Sequence, residues 1–152
     1  MTRIVVTTLI NAPIQTVFDA CRDVEMHTQT TTHTREKIVG GRTAGLLQLG
    51  DEITFEATHF FVRQKLSARI VEMNVPFGFT DEMLRGAFKS LRHEHRFETV
   101  ESGAQMTDVL TWTAPLGALG KVADVLFLKR YMTRFLIRRN RALKQIVEAP
   151  TL

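Results

Sequence analysis

The sequence predicts an α+β fold, a curved antiparallel sheet of about six to seven strands that wraps around a long C-terminal helix. Two observations indicate the sheet. Segments with alternating apolar and polar residues fill most of residues 34–113, and short glycine-containing turns join them. A third observation indicates the helices: a helical period follows the first strand, and a longer one ends the chain. An apolar helix beside such a sheet has to pack in its concave face.

Length and composition indicate a single domain over residues 1–152. The chain is 44% hydrophobic and 24% charged, as globular proteins are. Cys21 is the only cysteine, which excludes an intramolecular disulfide and a cysteine-rich zinc site. No apolar run approaches the roughly 20 residues of a membrane span, and the N-terminus resembles a strand more than a signal peptide. We therefore expect a cytoplasmic protein.

The positive charge is concentrated in one C-terminal segment. Residues 121–144 hold eight of the 20 basic residues and, among the acidic ones, only Asp124. A nucleic-acid-binding protein usually spreads such charge over its binding face, so we expect no nucleic-acid partner. A solvated helix face explains the segment most simply, and a weak contact with an anionic membrane is the alternative.

The first 33 residues predict a strand followed by short helices. Residues 2–10 form an alternating, β-branched run. Asn11 is the expected N-cap of the next helix, with Pro13 in its first turn. Val17, Phe18 and Cys21 then follow at helical spacing and should face the core. The Thr-rich stretch 24–33 predicts a short helix or a loop.

The long helix is expected from about residue 118 to residue 147. Its first half is apolar nearly all round, from Val122 to Leu128, which predicts deep burial. Its second half is amphipathic, and Met132 and Phe135 lie on the broad apolar side. Helix and sheet should enclose a space in which a function would reside.

The stretch "SLRHEHRFE", residues 90–98, raises the question of function. In a strand the charged residues share one face, whereas His93 and His95 share the other with Leu91 and Phe97. A buried polar group without a partner costs roughly 1 to 3 kcal/mol. The same alternation places Asp81 and Asp108 on the inward face of neighbouring strands, where they would pair with the two histidines.

Several longer motifs resemble the SRPBCC superfamily, also called START-like or helix-grip, in its cyclase/dehydrase-like branch. They are "INAPIQTVFDACRDVEMH", "LGDEITFEATHFF", "PFGFTDEMLRGAFKSLRHEHRFE" and "MTDVLTWTAPLGALGKVADVLFLKRYMTRFLIRRNRALK". The run 76–97 and the segment 115–120 are the most specific parts. The resemblance covers nearly the whole chain and implies a helix-grip fold with a hydrophobic ligand cavity and no cofactor.

The leading hypothesis is therefore a protein that binds a small hydrophobic or aromatic molecule, lipid-like or polyketide-like, in an internal cavity between sheet and C-terminal helix. The expected ligand-binding residues are Phe55, His59, Phe61, Phe79, Asp81, His93, His95, Phe97, Asp108, Trp112, Met132 and Phe135. Apolar walls with a few placed polar groups are typical of such sites.

Three alternatives stay open. The inward polar residues form a structural network without chemistry. They act in a cofactor-independent cyclase or dehydratase, with His59, His93, His95 and Asp81 as candidate acids and bases. The domain is a regulatory or protein-interaction module. We assign no metal site, although His93 and His95 have ligand spacing, with His59 as the possible third ligand. The sequence does not indicate the oligomeric state.

Overall fold

The computed structural model describes residues 1–150 and contains one seven-stranded antiparallel sheet in this part of the chain. The strands are β1 (Thr2–Ile10), β2 (Lys37–Gly41), β3 (Glu52–His59), β4 (Val62–Asn74), β5 (Gly78–Arg85), β6 (Ser90–Val100) and β7 (Gly103–Thr113). Their order is β1-β7-β6-β5-β4-β3-β2. All strands from β2 onward are neighbours in sequence, and β1 closes the sheet against β7. The predicted antiparallel meander is confirmed.

Short helices follow β1, and a long helix ends the described chain. They are α1 (Ile14–Arg22), α2 (Val24–Thr30), a 3-10 turn (Thr32–Thr34), α3 (Gly117–Ala123), a π-helical turn (Asp124–Leu128) and α4 (Lys129–Glu148). The last three are continuous and together form the C-terminal helix. This arrangement is the predicted helix-grip fold. The expected N-cap was wrong: Pro13 holds that position, and the backbone N–H of Asn11 donates to Glu148 Oε2 at 2.7 Å.

Aromatic packing holds the first helix against the concave face of the sheet. Phe18 is fully buried, and its ring meets those of Phe79 and Phe97 edge to face, with centroids 5.7 and 5.4 Å apart. Leu143 of α4 joins this cluster. Two of the aromatic side chains predicted to line a cavity therefore form part of the core.

The first half of the C-terminal helix is exposed, so the prediction of deep burial was wrong there. Gly120 and Asp124 are its buried contacts, and the Asp124 carboxylate accepts hydrogen bonds from Trp112 Nε1 at 3.0 Å and from the Thr2 hydroxyl. The apolar side chains on either side of Gly120 and Asp124 face solvent: Leu116, Leu119, Val122, Val125, Leu126 and Phe127. Hydropathy shows that burial of these side chains would be favourable, but it does not show that another part of the same chain packs over them.

Phe61 also lies outside the core, contrary to the prediction from alternation. The alternation ends at His59, because Phe60 and Phe61 form the turn between β3 and β4 with φ of 51° and 64°. This turn points the Phe61 side chain into solvent, where it is fully exposed. An alternating pattern does not show where a strand ends when the turn contains no glycine.

Replacement of Phe18 by alanine is expected to lower the free energy of unfolding by about 3 to 5 kcal/mol, because a large void opens in the aromatic cluster. Urea denaturation followed by circular dichroism measures this loss. Phe61→Ala is the matched control and should change stability by less than about 0.5 kcal/mol. Equal losses in both variants would contradict the assignment of the core.

Candidate functional site

The pairing of β5, β6 and β7 assembles four polar side chains on the concave face. Asp81 lies opposite His93, and His95 lies opposite Asp108. The hydrogen bonds run along the diagonals of this square. His95 Nε2 lies 2.9 Å from Asp81 Oδ2, and His93 Nε2 lies 2.7 Å from Asp108 Oδ1. The predicted pairing of both histidines with both aspartates is present in the structure.

The C-terminal helix completes this cluster with two residues of α4. Arg139 Nη2 donates to Asp108 Oδ1 at 3.2 Å, and Asn140 Nδ2 donates to Asp108 Oδ2 at 2.7 Å. Arg139 also donates to the side-chain oxygen of Asn140. Asp108, Arg139 and Asn140 are all buried. We call these two residues together with Asp81, His93, His95 and Asp108 the polar cluster.

Opposing charges shift the pKa values of the two carboxyl groups downward. Burial raises the pKa of Asp108, but the Arg139 guanidinium and the two histidines outweigh burial and hold that pKa well below its usual range. Burial likewise raises the pKa of Asp81, and its hydrogen bond with His95 and the nearby histidine charges together outweigh this effect, so that the net shift is downward. Both groups are therefore carboxylates at neutral pH.

The two histidines are shifted in opposite directions. Burial lowers the pKa of His95, but the neighbouring Cys21 and the two carboxylates outweigh burial, and this pKa lies well above its usual range. Burial and the positive charge on His95 lower the pKa of His93. The polar cluster thus balances two carboxylates with one guanidinium and one imidazolium, and His93 stays neutral.

A neutral His93 leaves one ring nitrogen available. Its Nε2 carries the proton that it donates to Asp108, so Nδ1 carries a lone pair. Within residues 1–150, Nδ1 of His93 has no hydrogen-bond partner. The His93 ring stacks on that of His95 with centroids 3.8 Å apart. A hydrogen-bond acceptor and an imidazolium therefore lie next to each other.

Aromatic and aliphatic side chains surround this pair. Phe79 stacks on His95 with centroids 4.1 Å apart, and Phe97 continues the same wall. On the helical side, a void of about 10 Å³ lies among Ala20, Cys21, Met26, His27, Thr30, Arg139 and Leu143. It has room for about one water molecule. Helix and side chains otherwise fill this part of the interior.

A larger, open groove reaches the same histidine. It has a volume of about 240 Å³ and lies beside the turn between β4 and β5. Phe77, Phe79 and His95 contribute to its wall, and charged residues of the outer sheet face form its rim. His95 therefore borders this groove, and the interior void lies on the other side of Cys21, whose Sγ is 3.5 Å from His95 Nδ1.

His59 lies in a different cluster from the paired histidines. Its Nδ1 is 2.5 Å from the Tyr131 hydroxyl, and its ring packs against Phe135. Burial lowers the pKa of His59. The remaining predicted ligand-binding residues contribute to packing: Phe55 stacks on His27, and Met132 packs against the cluster around Trp112.

Among residues 1–150, Asp81, His93 and His95 are the residues that could hold a metal ion. One ligand atom of each lies within 4.8 Å of the others. The third possible metal ligand is therefore Asp81, and not His59 as the sequence suggested. Binding would compete with the existing hydrogen bonds, because both ring nitrogens of His95 already face carboxylate oxygens. The three side chains are already paired by hydrogen bonds, and the charges of the polar cluster balance without a metal ion.

The sequence analysis missed Arg139 and Asn140. They lie at core spacing between Leu136 and Leu143 on the apolar side of the C-terminal helix. Two polar residues within an apolar stripe are the signal that could have identified them. Such residues need buried partners, and the aspartate predicted to face inward from β7 supplies one.

The fold and the sequence motifs define a helix-grip protein. Comparisons with known proteins agree with this assignment. The family described as "Polyketide cyclase / dehydrase and lipid transport" matches residues 10–138. The chain belongs to this family, and the predicted relationship to the SRPBCC superfamily is confirmed. No curated protein matches the chain.

Solved structures share the fold at low sequence identity. Protein TTHA0849 from Thermus thermophilus has a TM-score of 0.79 and 13% identity, over 96% of this chain and 97% of that chain. Protein CV1439 from Chromobacterium violaceum has a TM-score of 0.78 and 13% identity, over 99% and 100%. Major latex-like protein 151 from Panax ginseng has a TM-score of 0.71 and 13% identity, over 97% and 98%. Within residues 1–150, no helix is long and apolar enough to span a membrane.

Stability is expected to fall as the pH rises above 6.5, the ordinary pKa of histidine, because only the folded state keeps His95 protonated. The contribution is complete below that pH and disappears as the pH rises through the raised pKa, at up to about 1.4 kcal/mol per pH unit. Urea unfolding at a series of pH values measures it.

His95→Gln should remove this decline. His59→Gln is the control and should keep it, since a lowered pKa affects stability only at and below the ordinary value of 6.5. An unchanged decline in His95→Gln would show that another group titrates in this window.

Proposed function

We propose that the protein binds a small hydrophobic or aromatic molecule between the concave face of the sheet and the C-terminal helix. The observation that carries the proposal is the free Nδ1 lone pair of His93 beside the His95 imidazolium, among aromatic side chains. The family description, which includes lipid transport, supports a hydrophobic ligand. Expected ligand-binding residues are the polar cluster and the aromatic side chains around it.

The polar side chains suit a ligand with a hydroxyl group. The hydroxyl donates to the lone pair of His93, whereas both ring nitrogens of His95 already face the carboxylates of Asp81 and Asp108. Asp108 is already saturated by donors from β6 and α4, so it orients the histidines and leaves binding to them. The apolar part of the ligand then packs against Phe79 and Phe97.

Binding requires the interior to open. The void beside Cys21 and Arg139 has a volume of only about 10 Å³, too small for an aromatic ring. Room arises where α1 and α2 separate from the sheet, because these helices contact it through side chains and not through backbone pairing.

The protein is expected to bind 1-naphthol about tenfold more tightly than naphthalene, since one hydrogen bond from the hydroxyl to His93 is worth about 1.4 kcal/mol. Isothermal titration calorimetry measures both affinities. His93→Phe keeps a ring stacked on His95 but removes the lone pair, so this variant should bind both compounds equally.

His33→Phe is the matched control, because His33 packs on Phe135 away from the polar cluster. It should keep the preference for naphthol. Absence of binding to either compound, or a preference that survives in His93→Phe, would contradict the proposed site.

A second candidate function is a cyclase or dehydratase, and the unlike charge states of the paired histidines favour it. A neutral His93 accepts a proton from the carbon next to a carbonyl group. The His95 imidazolium gives up the Nδ1 proton, which faces Asp108 at the longer distance of 3.3 Å, to the carbonyl oxygen, and this transfer gives an enol and leaves His95 neutral. Asp81 and Asp108 hold His95 in its charged form. His59 is the candidate for a third proton-transfer group.

In this case the protein should accelerate deuterium exchange into the methyl group of 2-acetylnaphthalene in heavy water. General acid and base groups contribute about 100-fold or more, and His93→Phe should lose that acceleration. Proton NMR follows the methyl signal. If exchange is no faster than in buffer but naphthol binds, the protein binds ligands and does not catalyse this proton transfer.

Other expectations from the sequence stay predictions. They are the single domain, the cytoplasmic location, the absence of a nucleic-acid partner, the weak membrane contact of the basic C-terminal helix, and the regulatory or interaction role.

A further inference from the structure

The first half of the C-terminal helix presents apolar side chains to solvent on most of its circumference. Val125 is 82% exposed and Phe127 is 64% exposed. The turn between β3 and β4 adds more apolar side chains near this helix. We call this surface the apolar end; it consists of Phe60, Phe61, Val62, Leu116, Leu119, Val122, Val125, Leu126 and Phe127. A contiguous exposed surface of this kind marks an interaction site.

One contact and one helical spacing join the strand turn to the helix in the apolar end. The Phe60 ring lies 4.3 Å, centroid to centroid, from that of Tyr131. Tyr131 follows Phe127 by four residues, so both lie on the same side of the helix. The strand turn and the helix therefore form one surface at one end of the molecule.

The fold fixes the orientation of this surface. A side chain on Gly120 would place its Cβ 1.8 Å from the Pro115 backbone oxygen, so the segment that leads into the helix lies close against the helix at Gly120. The Asp124 carboxylate, held by Trp112 Nε1 at 3.0 Å, anchors the next turn. The helix cannot rotate to bury Val125 or Phe127 without breaking these contacts.

Basic residues flank the apolar side chains. Lys121, Lys129, Arg130 and Arg134 are exposed on the same helix. In the described part of the chain, no carboxylate lies within 4.0 Å of their charged groups. Apolar side chains next to unpaired cations are the combination that binds an anionic lipid surface. A second copy of this chain would bring the same positive charges together, which disfavours it as the occupant.

We propose that the apolar end docks on an anionic lipid membrane. The apolar side chains enter the boundary between headgroups and acyl chains, and the four basic residues contact lipid phosphates. The inference rests on the proposed function in one respect: the membrane is the source or destination of the hydrophobic ligand. The His59–Tyr131 pair lies directly behind this surface, between it and Phe135.

Co-sedimentation with lipid vesicles tests the docking. The full chain is expected to bind vesicles of phosphatidylcholine containing phosphatidylglycerol, to bind pure phosphatidylcholine weakly, and to dissociate as salt is added. The triple variant Val125→Ser, Leu126→Ser, Phe127→Ser should bind at least about tenfold more weakly, since three large apolar side chains no longer leave water.

The control carries Val5→Ser, Leu9→Ser and Val39→Ser, three exposed apolar residues of the sheet. It should bind vesicles as the unchanged protein does. Equal binding by both triple variants, or no binding to anionic vesicles, would overturn the proposal. A dimer in light scattering that only the helix variant dissociates would also overturn it and would assign the surface to a second copy.

Naphthol titration of the same variants separates the two proposals. Vesicle binding without naphthol binding would keep the docking surface and contradict the ligand site. Naphthol binding without vesicle binding would do the reverse. The helix variant should keep its affinity for 1-naphthol, because its substituted side chains lie outside the polar cluster.

Discussion

The buried carboxylate of Asp108 is the constraint on which sheet, helix and site all depend. It is fully buried in β7 and receives hydrogen bonds from β6 and from α4. An isolated carboxylate in such a position costs several kcal/mol, so the fold has to bring Arg139 and Asn140 to it. The position of the C-terminal helix across the sheet therefore follows from electrostatics as well as from apolar packing.

The same buried carboxylate determines the protonation states of the two histidines. Asp108 accepts a hydrogen bond from the Nε2–H group of His93, and Asp108 and Asp81 together keep His95 protonated. One ring nitrogen then stays without a partner among the described residues. This nitrogen keeps some accessible surface, so it stays open to a hydrogen-bond donor from outside the chain. The unsatisfied nitrogen beside an imidazolium is the reason to regard the polar cluster as a ligand site.

Much of this arrangement could be predicted from the sequence, and its failures have physical causes. Strand alternation correctly placed His93, His95, Asp81 and Asp108 on one face, because the period of two is rigid. It failed at Phe61, where a turn without glycine ended the strand two residues early, at His59.

Helical positions were harder to assign. Arg139 was overlooked because charge alone suggests solvent, whereas its place in the apolar stripe indicates burial. The first half of the C-terminal helix was assigned to the core because hydropathy does not identify the partner that covers an apolar surface. Among the described residues nothing covers that surface, and together with the flanking basic residues this makes a lipid surface a specific proposal. Nitrogen-15 NMR of the histidine rings at neutral pH tests the central claim most directly. The prediction is a doubly protonated ring at His95 and a ring protonated only at Nε2 at His93. Two neutral rings would contradict the imidazolium at His95, and a His93 protonated at Nδ1 would leave no lone pair there for a ligand.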